Sequence, residues 1–153
     1  MEHQYKVALE WTGNSGEGTK NYTSYQRSHN ISVENKPVIE CSSDPAFRGD
    51  PVKHNPEEML VASISSCHML WFLHLCADNG IIVLKYIDNA IGTMLEDSVG
   101  GRFTEVVLHP VVTISDPSKI ELTNSLHRPA NKKCFIANSC NFPIRHQPWC
   151  VAG

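Results

Sequence analysis

The chain lacks most of the devices by which a small protein announces its chemistry. It has no Gly-rich phosphate loop and no dinucleotide fingerprint, which removes the common nucleotide-binding classes. Among six cysteines and eight histidines there is no Cys-x-x-Cys and no His-x-x-x-His pair. A zinc site therefore has no sequence framework, and no metal is expected. No run of Lys or Arg stands out. Lys132-Lys133 is an isolated pair, and 13 basic against 16 acidic side chains give a net charge of −3. Nothing here reads as a nucleic-acid footprint. Repeats, linkers and low-complexity segments are also missing. The run Met1-Glu2-His3-Gln4-Tyr5-Lys6 has no basic region followed by an apolar stretch, so no secretory leader is expected.

What is present reads as one globular domain over residues 1–153. A domain of this size buries roughly 70% of its unfolded surface and needs no disulfide staples. Six cysteines in 153 residues are about 4%, below the ~8–10% of disulfide scaffolds. Asn21-Tyr22-Thr23 and Asn30-Ile31-Ser32 match a glycosylation pattern that is common by chance. The reading is a reducing cytoplasm, in which any disulfide is catalytic rather than structural.

The pattern along the chain is α+β. Residues 1–40 carry short strands, with 4–12 and 19–26 expected to pair as a hairpin around Gly13-Asn14-Ser15-Gly16-Glu17-Gly18. A Ser-, Asp-, Gly- and Pro-rich loop covers 41–55. Asn55 then offers an N-cap, Pro56 suits the first helical position, and Glu57 and Glu58 favour the positive end of the helix dipole. The helix is predicted over 56–79, with Asn79-Gly80 as its stop. No Asp, Glu, Lys or Arg occurs from Met59 to Ala77, and apolar residues fall on every side, so burial all round is expected. A membrane span is the rival reading. Ser63, Ser65, Ser66, His68 and His74 weaken it, as does the lack of a second span or basic flank.

Two long strand-like runs follow within 82–115, joined by a turn at Asp97-Ser98-Val99-Gly100-Gly101. A second helical region covers 117–139, opened by Asp116-Pro117 and broken or kinked at Pro129. The tail from Asn141 adds one last strand. Antiparallel sheets packed around central helices are the predicted architecture. One small sheet cannot cover a helix ~35 Å long on all faces. Two copies packing their long helices together between two sheets, as a homodimer, solve that problem.

Cys67 is the centre of chemical interest. A buried cysteine is usually an inert small hydrophobe. Cys67, however, is flanked by Ser65 and Ser66 in an otherwise apolar helix, a candidate partner thiol exists in Cys134, and arginines lie just upstream. A thiol attacks as its thiolate. Cys67 is too deep in its helix for the dipole to help, because that effect fades within the first turn. An external cation must serve, and Arg48 and Arg27 are the candidates; otherwise each is a solvated surface residue. Cys76 cannot bridge Cys67, since nine helical residues put them on opposite faces and ~13 Å apart, beyond the ~7 Å limit between α-carbons. Cys41, Cys140 and Cys150 have no helical framing. A Cys–His hydrolase could draw on His109, His127 or His146, but no local signature supports it.

The stretch Asn55-Pro56-Glu57-Glu58 through Cys67 resembles the OsmC/Ohr family (osmotically induced protein C and organic hydroperoxide resistance protein). That family has Asn-Pro-Glu, small and apolar residues, and a Cys ten positions after the Glu. Cys134 to Ser139 resembles its second motif, and the element order is similar over nearly the whole chain. The resemblance implies an intertwined homodimer without metal or organic cofactor. It implies a peroxidatic Cys67, a resolving Cys134 and an Arg–Glu pair at the thiolate, which falls on Glu57 and Arg48 with Arg27 in reserve. It implies a small-molecule organic hydroperoxide as substrate and an external dithiol, of lipoyl or thioredoxin type, as reductant. No nucleic acid or membrane partner is implied. Phe47, Trp71 and Phe135 are candidate linings of an apolar substrate pocket. Glu57 and Cys67 stand ~15 Å apart along one helix, so each Cys67 is expected to meet Arg48 and Glu57 of the second copy. Lys53-His54 before the motif, His68 after the first Cys and Phe135 after the second depart from the usual Gly-Thr, Phe and Pro, which suggests a side branch. A non-catalytic dimeric binding or scaffold protein with core thiols is the alternative.

Overall fold

The computed structural model describes residues 1–153. The chain divides into two compact units, Met1–Met59 and Leu60–Gly153.

The first unit holds β1 (Ala8–Trp11), β2 (His29–Ser32) and β3 (Ile39–Cys41) as an antiparallel meander in the order β1-β2-β3. The hairpin expected between 4–12 and 19–26 is not formed. The partner of β1 is β2, with Trp11 opposite His29 and Leu9 opposite Ile31. The segment between them is a loop tied to itself: Asn14 Oδ1 accepts from Gly16 N–H and Gly18 N–H, and Ser24 Oγ donates to the Gly18 carbonyl. Such local bonds outcompete a ladder. A 3-10 turn follows at Pro45–Phe47, capped by Asp44.

α1 (Pro56–Asp78) begins with a capping box. Glu58 N–H donates to Asn55 Oδ1 at 2.9 Å, and Asn55 N–H donates to Glu58 Oε2 at 3.4 Å. It ends in a Schellman closure in which Ile81 N–H reaches the Cys76 carbonyl and Gly80 sits at φ 63°.

In the second unit each long strand-like run is broken in two. β4 (Val83–Asp88) and β5 (Ile91–Glu96) part at Asn89-Ala90; β6 (Gly101–Leu108) and β7 (Pro110–Ile114) part at His109. The halves then feed different sheets, β4-β7-β9 and β5-β6-β8, where β8 is Ile144–His146 and β9 is Trp149–Ala152. The tail thus supplies two strands rather than one. Both run parallel to their neighbours, β8 beside β6 and β9 beside β7, so the sheets are mixed rather than antiparallel. The second helical region is also fragmented, into a 3-10 turn (Pro117–Lys119), α2 (Ile120–Ser125), α3 (His127–Lys133) and α4 (Phe135–Asn138). Pro129 is the third residue of α3, where no helical donor is needed, so the helical region breaks just before α3 at Leu126 and is not kinked at the proline.

Within one copy of the chain α1 is not buried all round. It buries one stripe at helical spacing, Ile64, His68, Phe72 and Cys76. Phe72 and Cys76 join Val112, Ile114, Leu126, Ala130 and Cys150 in one core cluster, and Ile64 joins Val106 and Leu108 in another. The sheets cover only that side. Ala62, Ser66, Leu70 and His74 face outward, and Leu70 is 61% exposed. By length and composition alone α1 could cross a membrane, a test that core helices also pass.

Candidate active site

Cys67 and Cys134 are brought together. Cys67 is half-buried on α1. Cys134 is fully buried and lies outside any helix, in an extended break (φ −69°, ψ 111°) between α3 and α4. That break turns the Cys134 side chain back to cap α4, and Ala137 N–H donates to its Sγ at 3.4 Å. Burial pushes the Cys134 thiol up to about 11, and the adjoining Cys67 thiol pushes the same way through a hydrogen bond; the Ala137 N–H opposes them. Both thiols are free. One member of the pair is accessible and the other enclosed.

The aromatic residues divide. Trp71 meets Phe135 edge-to-face at 5.6 Å, with Lys133 Nζ 5.2 Å over the Trp71 ring. They form a wall beside the Cys134 break. Phe47 belongs to the first unit, where its carbonyl accepts from Ser43 Oγ.

The charged candidates also lie in the first unit. Arg48 closes the 3-10 turn at φ 65°, a left-handed conformation unfavourable for Arg, and its exposed guanidinium bonds to nothing. Gly49 follows because a Cβ there would lie 1.6 Å from the Ser43 carbonyl oxygen. Glu57 carries a buried Oε2 with no partner. Arg48 and Glu57 form no ion pair with each other within the chain. Arg27 is already committed: its two terminal nitrogens donate to the Tyr25 and Tyr22 carbonyls at 2.6 Å each, and the two tyrosine rings sandwich its guanidinium at 4.1 and 4.3 Å.

Sequence reasoning missed a histidine cluster. His68 Nε2 and His127 Nδ1 lie 2.9 Å apart, both rings fully buried, with the His146 ring 5.9 Å from each. The Phe72 ring lies parallel to His127 at 4.0 Å. Burial holds His68 down to about 4 and His127 down to about 3, with the neighbouring histidines adding to both shifts, and burial also lowers His146. The signal available was the i, i+4 stripe Ile64–His68–Phe72–Cys76, which puts His68 in the core line of α1. Ser65, one of the serines flanking Cys67, donates to Asp88 Oδ2 at 2.5 Å, and His109 N–H donates to Asp88 Oδ1 at 2.6 Å. No group of three or more His, Cys, Asp or Glu side chains is arranged to hold a metal ion.

These features define an α+β protein with a long helix laid over two mixed sheets and a dithiol where that helix meets the fragmented second helical region. The OsmC-like protein family model matches residues 49–147, and the chain belongs to that family. It is similar to an OsmC-like protein of unknown function from Vibrio cholerae, with 31% identity, coverage of 96% of this chain and 99% of that one, and a TM-score of 0.86. At the level of fold it is similar to an organic hydroperoxide resistance protein from Elizabethkingia anophelis (17% identity, 100% of both chains, TM-score 0.68). The same holds for one from Legionella pneumophila (14% identity, 98% and 99%, TM-score 0.67). No curated protein matches the sequence.

Proposed function

We propose that this OsmC family member is a thiol peroxidase that reduces organic hydroperoxides. The observation that carries the reading is the pairing of Cys67 with Cys134 as free thiols across the α1–α3/α4 junction. The Cys67 thiolate attacks the hydroperoxide and becomes a sulfenic acid. Cys134 attacks that sulfur, water leaves, and a disulfide forms. An external dithiol of lipoyl or thioredoxin type resets the pair by exchange. The Trp71–Phe135 wall favours an organic substituent on the peroxide.

The same proposal includes a homodimer acting in the cytoplasm. The outward face of α1 and the unpartnered Glu57 Oε2 support it, since a second copy would cover the first and offer Arg48 to the second. In this scheme the thiols come from one chain and the Arg48–Glu57 pair from the other. Mixed dimers test it. Cys67→Ser and Arg48→Ala homodimers are each expected to be nearly inactive, and their heterodimer is expected to regain one intact site. A heterodimer without activity would show that Arg48 serves its own chain.

The decisive experiment for the chemistry is thiol counting after addition of cumene hydroperoxide. Loss of two thiols per chain, Cys67 and Cys134, supports the peroxidase. Unchanged thiols leave the non-catalytic scaffold, in which Cys134 is simply a core residue.

A further inference from the structure

The His68–His127 contact is a hydrogen bond of an uncommon kind. The two rings are within 9° of coplanar, and their centroids are 5.3 Å apart. That is the separation of two imidazoles joined end to end by a 2.9 Å N–H···N bond, not of rings stacked face to face. A bridging metal does not fit, because tetrahedral zinc bonds of ~2.0–2.1 Å hold two nitrogens roughly 3.3 Å apart.

The outer nitrogens, His68 Nδ1 and His127 Nε2, are buried and have no partner. In a neutral pair one ring donates into the shared bond and the other accepts. One outer nitrogen therefore carries a hydrogen and the other is bare, whichever tautomer is present. A proton arriving at the bare end drives the shared hydrogen across and frees the hydrogen at the far end. Both tautomers are then reversed, and a proton passing the other way restores them.

The location suits such a device. His68 follows Cys67 on α1, and His127 opens α3, the helix that ends at Cys134. The pair and the dithiol therefore span the same helix junction. His146 on β8 is half-buried and is the cluster member that reaches solvent. The charged and titratable groups acting on the pair are Asp88 and His146 on His68, and His146 on His127. With the two rings held far below their ordinary range, the pair stays neutral in the physiological range and carries protons only in passage.

We propose that His68 and His127, with the half-buried His146 beside them on the solvent side of the cluster, form a proton relay serving the Cys67–Cys134 couple. The inference rests on the peroxidase reading of that couple. When the Cys67 thiolate takes the terminal OH of a hydroperoxide, an S–O bond forms and the O–O bond breaks. Sulfur is oxidised, and an alkoxide leaves that needs one proton. Cys134 then attacks the sulfenic sulfur; the S–S bond forms, the S–O bond breaks, and the Cys134 proton departs with the hydroxyl as water. Reduction by a dithiol returns a Cys67 thiolate and a Cys134 thiol and releases the dithiol's second proton. Each cycle brings one proton in and lets one out, so the relay returns to its starting tautomers.

The test uses His68→Phe, His127→Phe and His127→Ala in the full chain, with cumene hydroperoxide and dithiothreitol. Both Phe variants are expected to lose about 100-fold in kcat, the scale of a lost proton-transfer group, with KM unchanged. His127→Ala is expected to recover on adding free imidazole, with a pH dependence that follows imidazole's own titration. A purely structural histidine would give neither. Wild-type kcat in either Phe variant would overturn the relay, as would a slowed His127→Ala that imidazole does not restore. If the Phe variants fail to fold, the Ala variant with and without imidazole decides. If the wild type consumes no hydroperoxide, the peroxidase reading fails instead. The relay is then judged on dithiothreitol reduction of the diamide-formed 67–134 disulfide, where equal rates in wild type and His127→Ala would sink it and an imidazole-dependent rate would sustain it.

Discussion

The two units of the chain are stabilised in different ways. Leu60–Gly153 has two apolar clusters, each with α1 on one side and sheet strands on the other. Met1–Met59 has an ordered meander but little of its own interior: all four residues of β1 are exposed, and Leu9, Trp11, Val38 and Ile39 are among its uncovered apolar side chains. Backbone pairing alone does not stabilise a three-stranded sheet in water. The second unit has a buried interior, whereas the first leaves much of its apolar surface exposed. The proposed thiols sit in the unit with the buried interior and the proposed Arg and Glu in the other, so the difference bears directly on the proposed catalysis.

The largest effect expected is in the second unit. Cys67→Ser should reduce hydroperoxide turnover roughly 10³-fold or more, the scale of removing a nucleophile. Cys134→Ser should stall after one event, leaving a sulfenic acid that dimedone labels. Mass spectrometry of peroxide-treated wild type should show a 67–134 linkage. Full turnover in Cys67→Ser would make both units equally irrelevant to chemistry.

Next comes the missing cover. A second copy that satisfies both the outward face of α1 and the β1–β3 sheet should bury well over ~2,000 Å², the range of obligate dimers. Light scattering should give a dimer at micromolar concentration. Leu70→Glu, which places a charge on the outward face of α1, should dissociate it. A wild-type monomer under these conditions would mean that the first unit stands uncovered after all.

A smaller effect separates the units by pH. In an unfolded chain His68 and His127 take up protons near 6.5; in the folded second unit they resist until about 4 and about 3. Below pH 6.5 the unfolded state therefore binds more protons, and stability falls as pH falls. The loss approaches about 1.4 kcal/mol per pH unit for each histidine. It should continue down to about pH 4 for His68 and about 3 for His127. Urea unfolding at stepped pH should show this slope, and His68→Phe should flatten it. An equal slope in the variant would place the acid sensitivity in other groups.

How much of this was legible in the sequence depended on whether the signal was local. Asn55-Pro56-Glu57-Glu58 and Asn79-Gly80 mark the ends of α1 because caps are short-range chemistry. The hairpin at Asp97–Gly100 was readable for the same reason, with Asp97 Oδ1 accepting from Val99 N–H. The breaks at Asn89-Ala90 and at His109 were not, since they follow from how two sheets share strands. The parallel placement of β8 and β9 is likewise long-range. For the site, Cys67 could be singled out by its serine neighbours. The extended backbone at Cys134 carries no local sequence signal, and the imidazole bond between His68 and His127 depends on residues 59 positions apart meeting in space.

The smallest effect expected belongs to the first unit and runs opposite to activity. Arg48 is held at φ 65°, where an L-residue with a Cβ is strained by roughly 1–2 kcal/mol and Gly is not. Its neighbour Gly49 cannot absorb the turn for it, because the Ser43 carbonyl packs against that position. Arg48→Gly should therefore relieve strain, offset in part by the greater freedom of Gly in the unfolded chain. The net gain should be of order 1 kcal/mol, a rise of about 2–4 °C in Tm for a chain of this size. The exposed guanidinium makes no bond whose loss would counter that gain. The same substitution should abolish turnover if Arg48 stabilises a thiolate. Calorimetry and the peroxide assay on one protein thus separate the two roles. A stabilised but inactive variant would show that the strain is kept for function, and a destabilised one would show that the greater freedom of Gly in the unfolded chain outweighs the strain relieved.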